Sequence, residues 1–421
     1  MGLEGESYYP ALHPKPYVSI GLPFAESCKH HVTETFNANK VYIIVSSSIS
    51  KTDAFTTLQQ ALGDKVVGVR YGIRPHVPWP DVLEVAADLR DLDADLVVTL
   101  GAGSLTDGAK VATFAAANGA FTTESLEELY ARMTKDAASL KGCTIRTINI
   151  PTSLSGGEYA PFGGATDWRN HRKTAFRHPT MGADLVILDA ALTVSTPERV
   201  WLSSGMRAVD HCVEALCSSF FRPGHESEGS AEKRAEAEKF NLEGLGLLLP
   251  NLLITKERPD DLEARRSEML GVIAALRGQE PGPTMGASHA IGRQLGPLGV
   301  GHGETSCIML PPVLRWNREH GDAWMVERQK LVLGAFWGDA TVADALKRAG
   351  LSEATASAGD VVGAYVSELA LPGSLKDVGI GRDKLHQLAI NALGDRNTAT
   401  NPLPVTRVEQ VMQILELALG Q

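Results

Sequence analysis

Two pairs of arginine and histidine, each spaced four residues apart, and one histidine between glycines are of types that suit polar chemistry. Arg207 and His211 lie four residues apart in an apolar helical pattern, so both project from one helix face. His289 and Arg293 repeat that spacing, and His302 stands in Gly301-His302-Gly303-Glu304. Guanidinium groups stay cationic and hold carboxylates or a developing oxyanion, while imidazoles exchange protons near neutral pH or ligate metals. The set predicts a cationic pocket for a small acidic or enol-rich substrate, with Arg207 and Arg293 orienting it and stabilising charge. His302 is the first choice as proton donor and His289 the second, with His211 in the same pocket. Three histidines can also bind zinc or iron. That reading is disfavoured, because Arg207 cannot ligate and repels a dication by several kcal/mol at an effective dielectric of ~20. Asp210 projects roughly 100° from His211 on a helix and is expected to be a poor substitute ligand.

A second chemical signal is the turn Gly101-Ala102-Gly103-Ser104-Leu105-Thr106-Asp107, which follows an apolar strand and opens a helix. Glycines let backbone N–H groups approach a pyrophosphate, and a helix N-terminus adds positive potential. Thr106 or Asp107 is expected to cap that helix. The turn lacks the third glycine of GxGxxG and has no GK[ST] continuation. Thr152, Ser153 and Ser155, in a hydroxyl- and glycine-rich loop about fifty residues on, suit close approach to the same ligand. The strand VYIIV runs into Ser46-Ser47-Ser48 where NAD users usually carry a carboxylate for the ribose. With no such charge, Ser47 can accept a 2′-phosphate, so NADP(H) is favoured over NAD(H).

The elements that must position these residues divide in two. Val41–Val45, Lys65–Val69, Asp95–Leu100, Thr144–Ile150 and Leu185–Leu188 look like buried strands, separated by helical stretches such as Trp79–Leu92 and Thr106–Asn118. After about residue 195 the strand signals stop. Amphipathic patterns follow at Pro197–Ser219, Ser227–Leu253, Asp260–Gly278, Gly303–His320, Asp383–Ala392 and Val408–Leu419. The charge-rich run 225–239 reads as a solvated helix start. The prediction is an α/β Rossmann-like dinucleotide-binding domain over 1–195 and an all-helical domain over 196–421 carrying the histidines and arginines. The cleft between them is the expected site.

Taken in order, these segments resemble the iron-containing alcohol dehydrogenase superfamily, nearest its maleylacetate reductase branch. Gly101–Lys110 is similar to GGGSxxDxAK, with Ala102 for the middle glycine and with Asp107 and Lys110 in register. Pro151–Glu158 resembles PTTxxxGSE, and Pro161–Lys173 continues as in maleylacetate reductases. Gly205–Ala215 resembles GMDAxxHxxE, with Arg207 for the metal-binding Asp and His211 in register. Gly286–Gly296 resembles GxxHxxxHxLG, with Arg293 for the second His, and His302 matches PHG. The resemblance implies a dehydroquinate synthase-like architecture and a nicotinamide-dependent reductase acting on a carbonyl or activated double bond. It assigns the pyrophosphate to the glycine turn, a ribose contact to Lys173 and a cleft-edge contact to His76. It also implies His211, His289 and His302 as ligands wherever a metal is used, and maleylacetate reductases as a group look metal-independent. The alternatives are a metal-dependent alcohol dehydrogenase, and a non-redox cyclase, lyase or isomerase on the same scaffold.

Composition narrows the class. The 421 residues exceed the size at which a single core stops growing. A net charge of -10 argues against nucleic-acid or anionic-membrane partners, which need a positive field. Five scattered cysteines, with no CxxC spacing, indicate neither a disulfide framework nor a zinc knuckle. The expectations are a cytoplasmic enzyme, a small-molecule substrate and, as the commonest soluble assembly, a homodimer.

Overall fold

A computed structural model describes residues 3–170, 172–224 and 229–420. The chain divides into two compact units, with the boundary at Ser195 and Thr196.

The first unit is built on a seven-stranded sheet. Its strands are β1 (Ser7–Pro10), β2 (Tyr17–Ile20), β3 (Val41–Val45), β4 (Val66–Tyr71), β5 (Leu96–Gly101), β6 (Arg146–Pro151) and β9 (Leu185–Leu188), in the order β1-β2-β9-β6-β5-β3-β4. Only the β1–β2 pair is antiparallel. The apolar runs are continuous because both sheet faces are covered. Along β3, Tyr42 and Ile44 enter one core while Val41, Ile43 and Val45 enter the other. Helices α1 (Phe24–His30), α2 (Asp53–Leu62), α3 (Trp79–Asp91), α4 (Gly103–Ala117), α5 (Thr123–Lys135) and the short α6 (Ala190–Thr193) complete this unit. The five expected strands are present, three of them with shifted ends. A separate hairpin, β7 (Phe162–Asp167) with β8 (Arg172–Arg177), was not expected, since its glycines and charges hide the alternation.

The second unit is helical throughout its described residues. It comprises α7 (Glu198–Cys217), α8 (Ala231–Glu257), α9 (Leu262–Arg277), α10 (Ala287–Leu295), α11 (Glu304–His320), α12 (Ala323–Trp337), α13 (Ala340–Arg348), α14 (Ala358–Glu368), α15 (Leu385–Ala392) and α16 (Val408–Ala418). The expected helix start at Ser227 lies outside the described residues; α8 begins at Ala231, capped by Ser230. Ala287, Ile291 and Leu295 recur every four residues on α10 and pack with Ile308, Met309 and Trp316 of α11. This fixes which face of α10 is left for His289.

Candidate active site

In the first unit the chain leaves β3 toward β4 on one side, then returns to β5 on the other. Ligands in such sheets bind beyond the carboxyl ends at this reversal. The ends in question are Ser46, whose N–H donates to Leu100 O at 3.1 Å, and Gly101. Gly101 has φ +147°, and a Cβ there would lie 2.7 Å from Leu105 Cδ1. Glycine is therefore required for the turn.

The helix that follows corrects one expectation. α4 starts at Gly103, three residues early, and its N-cap is Ala102, which offers no side-chain acceptor. Thr106 is buried inside the helix, and Asp107 Oδ2 accepts from Gly164 N at 3.2 Å on β7, so neither caps it. The first-turn amides at Gly103 and Ser104 therefore have no capping side chain, an arrangement suited to a phosphate. Thr152 N donates to Gly101 O at 3.2 Å, and Ser153 Oγ and Ser155 Oγ lie 3.1 Å apart. A Cβ on Gly103 would stand 3.1 Å from Ser155 Oγ. Gly101, Ala102, Gly103, Ser104, Thr152, Ser153 and Ser155 are thus brought together. Ser47 is exposed just beyond β3.

Asp107 and Lys173 meet across Gly164, where a Cβ would lie 3.2 Å from Lys173 Nζ and 3.6 Å from Asp107 Oδ2. His76 and Val77 both have positive φ, +64° and +54°. A β-branched residue in that region is strained. Thr166 on β7 holds the pair, its Oγ1 donating to His76 O at 2.7 Å and its N to Val77 O at 2.8 Å. Partial desolvation and the Lys173 charge push the His76 imidazole below its usual range. Lys110, in register with the family motif but given no role from sequence, is buried and donates to Gly157 O and, at 3.1 Å, to Phe162 O. Lys110 ties the serine loop and β7 to α4. Burial pushes the neighbouring Glu158 carboxyl up to about 7.

In the second unit, Arg207, Asp210 and Glu214 project from the buried side of α7. Arg207 is 3% exposed; its Nη1 donates to Thr305 Oγ1 at 3.3 Å and Ser306 Oγ at 3.1 Å. Burial lowers its guanidinium to about 10. Glu214 accepts from Gly286 N and Ser288 N, each at 2.8 Å, and so satisfies the N-terminus of α10. It also lies 2.7 Å from Nδ1 of His289, two residues into that helix. Asp210 accepts from Ser288 Oγ at 2.9 Å, and its Oδ2 lies 3.4 Å from His289 Nδ1. Burial pushes both carboxyls upward, more so because they repel each other. His211 stacks on His289 with ring centroids 4.8 Å apart. Burial, with the charges of Arg207 and Arg293, holds both imidazoles well below their usual range.

Three expectations change here. His289 is held neutral, so as folded its free nitrogen accepts protons rather than donating them. Arg293 is exposed and paired with Asp395 at 2.8 Å, so it acts on the histidines from outside the buried cluster. Asp210, dismissed as facing away from His211, instead faces His289. The group able to converge on an ion among the described residues is Asp210, Glu214 and His289, rather than three histidines. His302 is exposed, its carbonyl accepting from Thr305 Oγ1 at 2.8 Å.

Comparison with known proteins identifies the lineage. The iron-containing alcohol dehydrogenase model matches residues 24–190, and the C-terminal model of the Fe-containing alcohol dehydrogenase family matches 201–419. The chain belongs to the iron-containing alcohol dehydrogenase family. It is 45% identical over 387 residues to "Dehydrogenase ALT3" of Alternaria alternata, covering 91% of this chain and 100% of that protein. It is 39% identical over 427 residues to "Dehydrogenase FUM7" of Gibberella moniliformis, covering 99% and 100%. The crystal structure of maleylacetate reductase from Agrobacterium tumefaciens has the same fold. Its TM-score is 0.71 at 22% identity, with 98% of each chain covered. As a member of the iron-containing alcohol dehydrogenase family, this protein is an oxidoreductase acting on small molecules with a nicotinamide cofactor. Among its described residues no helix is long and apolar enough to cross a membrane.

Proposed function

We propose that this enzyme is an NADP(H)-preferring reductase, acting without a metal on a carbonyl or activated double bond of a small acidic substrate. The observation that carries the reading is the uncapped N-terminus of α4 at the sheet's reversal point, ringed by Thr152, Ser153 and Ser155. A bound nicotinamide supplies or accepts hydride there. Ser47, a hydroxyl with no competing carboxylate on the strand end, supports the 2′-phosphate. Asp107 and Lys173 would hold the ribose region, with His76 beside them.

The family name implies iron, but the donor set fits an ion poorly. The oxygens of Glu214 are engaged by two backbone amides and His289, Asp210 is engaged by Ser288, and a guanidinium is buried among them. The Arg207 cation takes over charge stabilisation, with Arg293 and His211 shaping the field around it. The convergence of Asp210, Glu214 and His289 favours the metal-dependent reading as second choice. The enzyme is taken to act in the cytoplasm as a homodimer, which light scattering on purified protein tests.

The test is a fluorescence titration with NADPH and NADH, followed by absorbance at 340 nm with maleylacetate and other oxo acids. Saturable binding with tighter NADPH, and turnover in protein free of iron and zinc by mass spectrometry, is the expected result. Absence of saturable binding would favour non-redox chemistry, and activity restored only by added metal would favour the second choice.

A further inference from the structure

The cluster on α7 and α10 contains three buried polar atoms without a hydrogen-bond partner in the protein: Arg207 Nε, Asp210 Oδ1 and His289 Nε2. Each such atom costs about 1–3 kcal/mol when left unpaired, so three in one cluster mark a place built for a ligand. Their chemistry says which ligand. Arg207 Nε–H is a donor and Asp210 Oδ1 an acceptor. His289 Nδ1 is held by Glu214 as the N–H, which leaves the lone pair on Nε2. A carboxylate would meet Asp210 Oδ1 as like charge. An alcohol oxygen accepts from Arg207 Nε–H while its proton is donated to His289 Nε2.

We propose that Arg207 and His289 bind the reacting oxygen of the substrate directly, between Arg207 Nε–H and His289 Nε2, and that Glu214 is the positioning residue that aims His289. This rests on the oxidoreductase reading above and sharpens it: Arg207 engages the carbonyl or hydroxyl being converted, not the substrate's acid group. Asp210 balances the guanidinium, and Ser306 accepts from Arg207. In oxidation the hydroxyl proton passes to His289 Nε2, and the carbinol hydrogen leaves with its electron pair to the oxidised nicotinamide. The oxygen lone pair then forms C=O. Reduction reverses each transfer: Nε2 first takes a proton from water and passes it to oxygen as the hydride arrives at carbon. Throughout, Arg207 Nε–H donates to the oxygen, where negative charge develops.

Glu214 has a second duty at the start of α10, so a loss on its removal is not enough. The experiment compares Glu214→Gln, His289→Asn and the double variant, with NADPH and 4-oxobutanoate in one direction and NADP with 4-hydroxybutyrate, the matching alcohol, in the other. Each single variant is expected to lower kcat by about 10²–10³-fold, with KM and the NADPH Kd changed less than about threefold. The double variant is expected to be no slower than His289→Asn, because Glu214 acts through His289. Should Glu214→Gln not fold, Arg207→Lys replaces it, with a kcat loss of the same order expected. Multiplying losses, an unchanged kcat in His289→Asn, or one equivalent of iron or zinc lost with that variant overturns the proposal. Wild-type enzyme without NADPH binding or turnover overturns the oxidoreductase reading along with it. Wild-type turnover that survives His289→Asn overturns this inference alone.

Discussion

A buried guanidinium is expensive to desolvate, and Arg207 is accommodated by two hydroxyls and a nearby carboxylate. Arginine is the cation suited to this, because its charge survives burial where a lysine or histidine would lose its proton. Burial in the same environment keeps His211 and His289 neutral, and the Arg207 charge adds to that effect. The substitution of Asp by Arg within GMDAxxHxxE is legible in the sequence, as is the alignment of His289. The partnership of His289 with Glu214 is not, since 72 or more residues separate Glu214 from the groups it binds. At Ser47 the specificity argument predicts a reversal. Ser47→Asp places a carboxylate near the 2′-phosphate and is expected to weaken NADPH at least tenfold relative to NADH, about 1.4 kcal/mol. Steady-state KM values for the two cofactors check it, and an unchanged ratio removes Ser47 from the phosphate site.

Helix ends and strand ends carry this protein's polar chemistry. α4 is preceded by Ala102, which cannot cap it, as α3 is by Pro78, whereas Thr122 caps α5 through Ser125. Ala102→Asp supplies the missing cap. It is expected to stabilise the cofactor-free enzyme by about 1 kcal/mol and to weaken NADPH by tenfold or more through phosphate repulsion. Urea midpoints paired with fluorescence titrations measure both, and gains in stability and affinity together would contradict a phosphate role for this turn. The expected helix start at Thr106 was late because a mobile-looking GxGS turn and a helical first turn share the same residues. Only the hydrogen-bond pattern separates them. β7 and β8 were invisible for a related reason: Gly163 lets β7 lie on α4, where a Cβ would meet Asp107 O at 2.9 Å, and Gly164 makes room for the Lys173 side chain of β8, where a Cβ would meet Cε at 2.5 Å.

Each of the two units carries a buried acid that links its stability to pH. In the helical unit Glu268 on α9 accepts from Trp201 Nε1 at 2.7 Å and Thr255 Oγ1 at 2.6 Å, fastening α7 and α8. Burial pushes its carboxyl up to about 7 from an ordinary 4.5. A raised carboxyl binds its proton more tightly folded than unfolded, so its contribution is full below about 4.5 and is lost as pH rises through 7. The loss is roughly 3 kcal/mol at 1.36 kcal/mol per pH unit. Glu158 in the first unit acts with the same sign. Glu268→Gln is therefore expected to lower stability at pH 5 and to flatten its decline toward pH 8. Denaturant midpoints at both values read this out, and an undiminished pH slope would contradict the assignment.

Periodicity alone determined the division into a strand-and-helix half and a helical half, because burial on both faces of a parallel sheet forces continuous apolar runs while helices bury only a stripe. Glycine and hydroxyl residues likewise pointed to the turn proposed for the phosphate, since backbone approach demands them locally. Side-chain partnerships had to await tertiary structure. That Asp210 meets Nδ1 of His289 while His211 stacks on its ring depends on the rotation of α7 against α10, and that rotation is set by the apolar stripe Ala287, Ile291 and Leu295 locking onto α11. Packing across distant segments, which no local spacing encodes, thus chose the partner of the histidine.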